Sequence, residues 1–326
     1  MLWLGLVAVL AVPLSDPLPL PAPVRGAAGA QAAARPGTRP APAPPAAPAP
    51  PASGPVREDW LARHPPPDLG VHAASGVLLD LDTDELLWAR DERAARPPAS
   101  LTKLVTVMVA IDLAGSLDRE LTVAPEATQV GPDSTVMGLT AGEAVTVRDL
   151  MYGIFLVSGN DAAETLATGL GDRARFLRLM DAKAAELGMT DSHFSNPTGL
   201  DDPGLRSSPY DMAVATVAIV TRYPDLLPIA ATKDVILPQT ATHKEFDLHS
   251  LIKLVATYPG ATGLKTGYTD DAGYCLVGTA VRGGRHLAVV LMGEDAQLTV
   301  DAGRLLDFGF VSPPAELLDP SSLAPV

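Results

Sequence analysis

The sequence predicts an α+β fold, with an antiparallel sheet built from both ends of the folded chain and a helical subdomain inserted between them. Short apolar runs of β type occur near residue 80 and again after residue 264. The stretch between them carries mostly helical patterns, interrupted by glycine and proline. Strands first, helices in the middle and strands last are typical of the α+β class.

Each element has its own local signal. Apolar runs at 76–81 and 85–90 flank the polar turn 82–84, which predicts a β-hairpin. Gly283-Gly284 predicts a second hairpin turn near the end of the chain. Thr146, followed three residues later by Asp149, predicts a capped helix start. The remaining predicted strands are 120–123, 144–145, 264–268, 273–281 and 286–292, and the predicted helices are 100–114, 147–156, 161–170 (with Asn160 as its cap), 174–187, 208–222 and 299–308.

Composition divides the chain into one domain and its flanks. Seventeen of the 32 prolines lie between Pro13 and Pro67, where alanine supplies most of the remainder. Such a segment cannot build a core, so we predict a disordered Pro/Ala-rich linker at 31–69 and a folded domain at 70–312. The apolar run 2–12 predicts an export signal within 1–30, either cleaved or retained as an anchor, and 313–326 is predicted to be a tail. An exported chain would work outside the cytoplasm.

Charge and cysteine content exclude several classes of partner. The net charge of −14 speaks against nucleic acids and anionic membrane surfaces. Cys275 is the single cysteine and lies in a predicted buried strand, where it is expected to be a small core residue. The six histidines lack metal-ligand spacing, so we expect no metal and no cofactor.

Ser100 and Lys103 suggest covalent catalysis. They lie three residues apart at the start of an apolar helix that ends before Gly115, so both side chains would lie on one face. A serine hydroxyl needs a base to become a nucleophile, and burial lowers a lysine pKa enough for the amine to accept the proton. Ser-x-x-Lys alone is common by chance. Two further elements, Ser158-Gly159-Asn160 and Lys265-Thr266-Gly267, complete a far more specific set.

These motifs resemble the low-molecular-mass penicillin-binding proteins, the serine D-alanyl-D-alanine carboxypeptidases. The resemblance runs from about residue 70 to 310 and includes 193–200, 263–269 and 272–280. It implies a penicillin-binding-protein/β-lactamase-like fold that acts on peptidoglycan stem peptides and is acylated by β-lactams.

The resemblance also implies a role for each site residue. Ser100 would attack the penultimate D-alanine, with Lys103 as its base. Ser158 would pass a proton to the leaving amine, and Asn160 would orient Lys103. Lys265 and Thr266 would bind the substrate carboxylate beside Gly267 and Tyr268. The implied oxyanion hole consists of the backbone N–H groups of Ser100 and Tyr268.

Two departures keep alternatives open. The family usually has histidine near Arg206, and an arginine that would bind the substrate carboxylate is replaced by Leu298, for which Arg282 or Arg285 would have to compensate. The alternatives are a DD-endopeptidase, a β-lactamase, or a penicillin-binding module without turnover. The loop 195–200 contains no glutamate to activate water, which disfavours a class A β-lactamase.

Overall fold

A computed structural model describes residues 56–131, 134–295 and 297–312. The predicted signal, most of the predicted linker and all of the predicted tail lie outside these residues. The strands are β1 (Ser75–Asp80), β2 (Glu85–Arg90), β3 (Glu120–Thr122), β4 (Ala144–Thr146), β5 (Asp234–Leu237), β6 (Phe246–His249), β7 (Ala261–Thr269), β8 (Gly273–Arg282) and β9 (Arg285–Glu294). The helices are α1 (Asp59–Arg63), α2 (Lys103–Ala114), α3 (Val147–Val157), α4 (Asn160–Gly169), α5 (Arg173–Leu187), α6 (Pro209–Arg222), α7 (Leu226–Ala230), α8 (Lys253–Thr257) and α9 (Leu298–Val311).

The main sheet joins the two ends of the described chain, as the sequence predicts. Its strand order is β2-β1-β9-β8-β7, and every neighbouring pair is antiparallel. Gly283 and Gly284 form the two-residue turn between β8 and β9, both with positive φ, the conformation that this tight hairpin requires. Strand β7 is an edge of the sheet, so it can present its backbone groups to another molecule.

Helices cover both faces of the sheet. Every residue of β1 is buried, and its side chains alternate between two cores because successive residues of a strand point to opposite faces. Val77 and Leu79 belong to the core that includes α2 and α6, whereas Leu78 packs with α9. This two-sided burial explains why β1 is an uninterrupted apolar run.

The packed domain begins earlier than the sequence predicted. Residues 57–63, assigned to the linker, include α1 and a backbone bridge between Arg57 and Glu85 of β2. Trp60 is buried in the core, and its backbone N–H donates to the Glu85 carboxylate at 3.0 Å. Burial of this large apolar side chain stabilises the segment despite the proline-rich sequence around it. The predicted start at residue 70 is therefore too late.

Candidate active site

Ser100 and Lys103 are brought together at the junction of two helix types. Ser100 lies in a 3₁₀ turn, Ala99–Thr102, and Lys103 is the first residue of α2. The sequence predicted one continuous α-helix from Ser100. The first turn is instead 3₁₀, with Ala99 in the left-handed region at φ 47°. Lys103 Nζ nevertheless lies 2.8 Å from Ser100 Oγ.

Lys103 is fully buried, and its amine contacts three oxygens. Besides the Ser100 hydroxyl, Nζ donates to Asn160 Oδ1 at 2.7 Å and to the Thr198 carbonyl at 2.6 Å. Burial, with a smaller contribution from the charge of Lys265, holds the pKa of Lys103 well below its usual value. A neutral amine has two N–H donors and one lone pair. Because the two carbonyl oxygens can only accept, they occupy the donors and leave the lone pair for the Ser100 hydroxyl.

The Ser158-Gly159-Asn160 turn positions Asn160. Ser158 ends α3 in the left-handed conformation, at φ 57°, and α4 starts at Asn160. The sequence predicted Asn160 as the N-cap of α4. Gly159 occupies that position and has no side chain with which to cap the helix, and Asn160 is the first residue of α4. The prediction of the cap was wrong, and the Asn160 side chain accepts a hydrogen bond from Lys103 instead.

Asp161 holds the loop 135–139 against this turn through hydrogen bonds. Its buried carboxylate accepts the backbone N–H groups of Met137, Gly138 and Leu139 at 2.8–2.9 Å. In the same loop, the Thr135 carbonyl accepts the Asn160 N–H at 2.8 Å. These contacts join residues more than twenty positions apart, so no local sequence pattern predicts them.

Strand β7 lies directly against Ser100. A Cβ atom added to Gly267 would lie 2.6 Å from the backbone nitrogen of Ser100, so only glycine permits this approach. The sequence-predicted oxyanion donors, the N–H groups of Ser100 and Tyr268, therefore belong to adjacent backbone segments. Lys265 is buried on β7, which lowers its pKa to about 7, and its Nζ donates to the Thr266 carbonyl at 2.7 Å.

These residues surround a cleft of about 440 Å³. Of the predicted site residues, Ser100, Ser158, Asn160, Thr266, Gly267 and Tyr268 line it, and Lys103 and Lys265 lie buried beneath its surface. The cleft walls also include residues for which no role was predicted: Ser134, Thr135, Gly199, Leu200, Leu251, Lys253, Thr269, Tyr274, Asp295 and Thr299. Leucine and tyrosine side chains make the cleft partly apolar.

The departures from the family pattern fall in different places. Leu298 lines the cleft, so this position adjoins the substrate space without offering a charge. Arg285 donates to Asp80 at 2.6 Å, and Arg282 contacts Asp307 at 3.2 Å. Neither arginine lines the cleft. Lys253 at the start of α8 does, and it was missed because nothing in the sequence connects α8 with the nucleophile.

One cluster near the cleft resembles a metal-ligand set. His72, Glu294 and Asp301 each offer a ligand atom, and these atoms lie within 4.8 Å of one another. Both Asp301 oxygens already accept hydrogen bonds, from the His72 backbone and ring on one oxygen and from Arg304 on the other. The arrangement is thus explained by ion pairing. The expectation that the enzyme uses no metal or cofactor stays a prediction.

The fold and the site together define a class. Ser100 lies beside the buried Lys103, and the Ser158-Gly159-Asn160 turn shares their cleft with the Lys265-Thr266-Gly267 segment of the edge strand β7. This is the arrangement of the penicillin-binding serine peptidases. The model of the family described as D-alanyl-D-alanine carboxypeptidase matches residues 61–296. The chain belongs to this family and is a serine peptidase.

Individual relatives agree with this assignment. DacB2 of Mycobacterium tuberculosis, named a D-alanyl-D-alanine carboxypeptidase, is 37% identical over 249 residues, which are 74% of this chain and 84% of that protein. DacD of Escherichia coli, named likewise, is 36% identical over 71% of this chain but only 60% of its own length.

Solved structures share the fold. A crystal structure of a D-alanyl-D-alanine carboxypeptidase from M. tuberculosis matches with a TM-score of 0.70 and 36% identity, covering 77% of this chain and 94% of that one. A Streptomyces K15 DD-transpeptidase matches with a TM-score of 0.69 and 28% identity, covering 74% and 99%. The predicted penicillin-binding-protein-like α+β fold is confirmed. None of the helices in the described part of the chain combines the length and hydropathy of a membrane span.

Proposed function

We propose that this protein is a serine D-alanyl-D-alanine carboxypeptidase that removes the terminal D-alanine of peptidoglycan stem peptides. The observation that supports this most directly is the contact between Lys103 Nζ and Ser100 Oγ at 2.8 Å, in a site that favours the neutral amine. Peptidoglycan lies outside the cytoplasmic membrane, so this activity requires an extracytoplasmic location. The predicted export signal lies outside the described residues.

The first half-reaction forms an acyl-enzyme. Lys103 accepts the Ser100 hydroxyl proton as Oγ attacks the carbonyl carbon of the penultimate D-alanine. The backbone N–H groups of Ser100 and Tyr268 stabilise the developing oxyanion. When the tetrahedral intermediate collapses, the C–N bond breaks, and the proton held by Lys103 passes through the Ser158 hydroxyl to the departing D-alanine amine.

The second half-reaction hydrolyses the ester. Water enters the space vacated by D-alanine, Lys103 accepts one of its protons, and the hydroxide attacks the ester carbonyl. Collapse breaks the C–Oγ bond, and Oγ takes the proton back from Lys103. A β-lactam would acylate Ser100 in the same way, but its leaving nitrogen stays tethered to the acyl group.

Substrate binding would use both walls of the cleft. Thr266 offers a hydroxyl to the terminal carboxylate, and Lys265 beneath it adds positive potential. Lys253 is the exposed cation among the described residues that line the cleft, and it provides charge that Leu298 does not. Asn160 orients Lys103 through the 2.7 Å hydrogen bond.

The alternatives have weaker support. A class A β-lactamase needs a glutamate that activates the deacylating water. Asp295 is the only carboxylate among the described residues that line the cleft, and Glu164 of α4 lies outside it, which disfavours that activity. A DD-endopeptidase would use the same catalytic groups, so only the choice of substrate separates it. A penicillin-binding module without turnover would still need the serine–lysine contact for acylation, so the release of D-alanine separates it from the carboxypeptidase.

The proposal is tested by D-alanine release from diacetyl-Lys-D-Ala-D-Ala, with fluorescent penicillin labelling in parallel. Release and labelling by the wild type, both lost in Ser100→Ala, are expected. Labelling without release would overturn the carboxypeptidase and leave a penicillin-binding module. Hydrolysis of cross-linked dimers in preference to the linear peptide would establish the endopeptidase.

A further inference from the structure

Asp295 gives one end of the cleft a negative charge. It lines the same cleft as Ser100 and directly follows β9. Its Oδ1 accepts the Gln297 backbone N–H at 2.9 Å, which fixes the side chain. No lysine, arginine or histidine forms an ion pair with it within the described ranges. The catalytic steps above do not use this carboxylate.

The register of the sheet connects the nucleophile to Asp295. Gly267 of β7 lies against Ser100, and the next residue, Tyr268, pairs with Tyr274 of β8. Tyr274 in turn pairs with Glu294 of β9, the neighbour of Asp295. Two strand spacings separate β7 from β9, about 10 Å. An extended side chain of lysine type, together with the carboxylate that meets it, spans a distance of this order.

Two neighbouring tyrosine rings offer the cleft an aromatic surface. Tyr268 and Tyr274 both line the cleft, and their ring centroids lie 4.6 Å apart. They are 54% and 44% exposed, so their apolar surface is free to contact a ligand. Aromatic faces pack well against methylene groups and attract a cation at the end of them.

We propose that Asp295, Tyr268 and Tyr274 form a subsite for the side chain of the residue that precedes the two D-alanines, and that this side chain is a chain of about four methylenes ending in a free ammonium. The inference rests on the proposed function, because it assigns the subsite to that substrate. Lysine or a diamino acid has the required chemistry. An acylated amine would offer Asp295 no charge, and a side-chain carboxylate would be repelled.

Neighbouring carboxylates strengthen the negative potential at this end. Glu294 and Asp301 are both buried nearby, with one oxygen of each within 4.8 Å of the other. Burial and the charge of Asp301 raise the pKa of Glu294 to about 7. A bound ammonium at Asp295 would favour the ionised form of Glu294, so the selectivity for a charged side chain should increase from mildly acidic to mildly alkaline pH.

The test compares two peptides on the full-length protein. Nα-acetyl-Lys-D-Ala-D-Ala carries the free ammonium, and the diacetyl peptide differs only by its acetylated ε-amine. We expect kcat/KM for D-alanine release to be about three- to fivefold higher for the free amine, the upper part of the range for an exposed ion pair. Asp295→Asn should abolish the ratio, and Asp295→Lys should invert it. The control Asp271→Asn removes an exposed carboxylate from the β7–β8 turn, outside the cleft, and should leave the ratio unchanged.

The outcomes separate the two proposals. Equal kcat/KM for both peptides in the wild type, or a ratio that persists in Asp295→Asn, overturns the subsite while the carboxypeptidase stands. No release from either peptide overturns the proposed function. The subsite is then decided by competition of the two peptides against fluorescent penicillin, where equal inhibition refutes it and stronger inhibition by the free amine, lost in Asp295→Asn, supports it.

Discussion

Replacing Lys265 by methionine should make the protein more stable at neutral pH while it removes activity. The Lys265 side chain is fully buried, and burial lowers its pKa from 10.5 to about 7. Methionine has a similar length and no charge to desolvate. The wild type therefore carries a buried amine that opposes folding at neutral pH and that we propose acts in substrate binding.

The magnitude follows from proton linkage. At pH 7 the Lys265 amine is almost fully protonated in the unfolded chain and about half protonated in the folded protein. The free energy of unfolding of the wild type is therefore about 4 kcal/mol lower than it would be if the lysine pKa were unshifted. Methionine also loses the Nζ–Thr266 carbonyl hydrogen bond, worth about 1 kcal/mol. A net gain of about 2 to 3 kcal/mol is expected. Because the folded-state pKa is lowered, wild-type stability rises as pH increases from 7 towards 10.5, and the difference should shrink.

Urea unfolding of wild type and Lys265→Met at about pH 7 and about pH 10 measures this difference. The control Lys233→Met removes an exposed lysine and should change stability by less than about 0.5 kcal/mol at both pH values. A destabilised Lys265→Met at pH 7, or a difference in stability that does not change with pH, would show that the buried amine does not oppose folding.

Three further perturbations test individual contacts. Gly267→Ala should reduce the rate of penicillin acylation by at least about 100-fold, because the added Cβ would lie 2.6 Å from the Ser100 backbone nitrogen. The control Gly131→Ala places its Cβ 3.7 Å from Ser134 Oγ, an ordinary contact, and should be labelled at the normal rate. Asn160→Ala should slow acylation about 10- to 100-fold by freeing the Lys103 amine from its 2.7 Å partner, and an unchanged rate would contradict that positioning role. Cys275 should resist iodoacetamide in the folded protein, because burial raises its thiol pKa to about 12; rapid alkylation at neutral pH without unfolding would show that the strand is open.

Local chemistry made much of the fold predictable. Thr146 and Asp149 form the expected capping box, and Gly115 ends α2 in the left-handed conformation. The glycine turn at 283–284 fixes the register of β8 and β9 as expected. Cys275 is buried in β8, as its apolar surroundings indicated. These features depend on residues a few positions apart, for which sequence spacing determines geometry.

The parts that could not be predicted depend on distant segments. The Thr198 carbonyl binds Lys103 from 95 positions away, and β7 meets Ser100 only because Gly267 has no side chain. Lys253 and Asp295 enter the cleft through chain packing that no local pattern encodes. Asn160 shows the converse. Its local pattern is typical of a helix cap, but α4 begins at Asn160 itself and the side chain accepts a hydrogen bond from Lys103.

Whether a neutral Lys103 amine activates Ser100 can be measured through the pH dependence of acylation by benzylpenicillin. The low pKa of Lys103 predicts that the acylation rate rises with pH and reaches a plateau well below pH 10.5. Peptide mapping should place the adduct on Ser100, and Lys103→Arg should not be acylated, because guanidinium cannot accept the proton. A rate that keeps rising tenfold per pH unit up to about pH 10, or an adduct on another residue, would contradict the account.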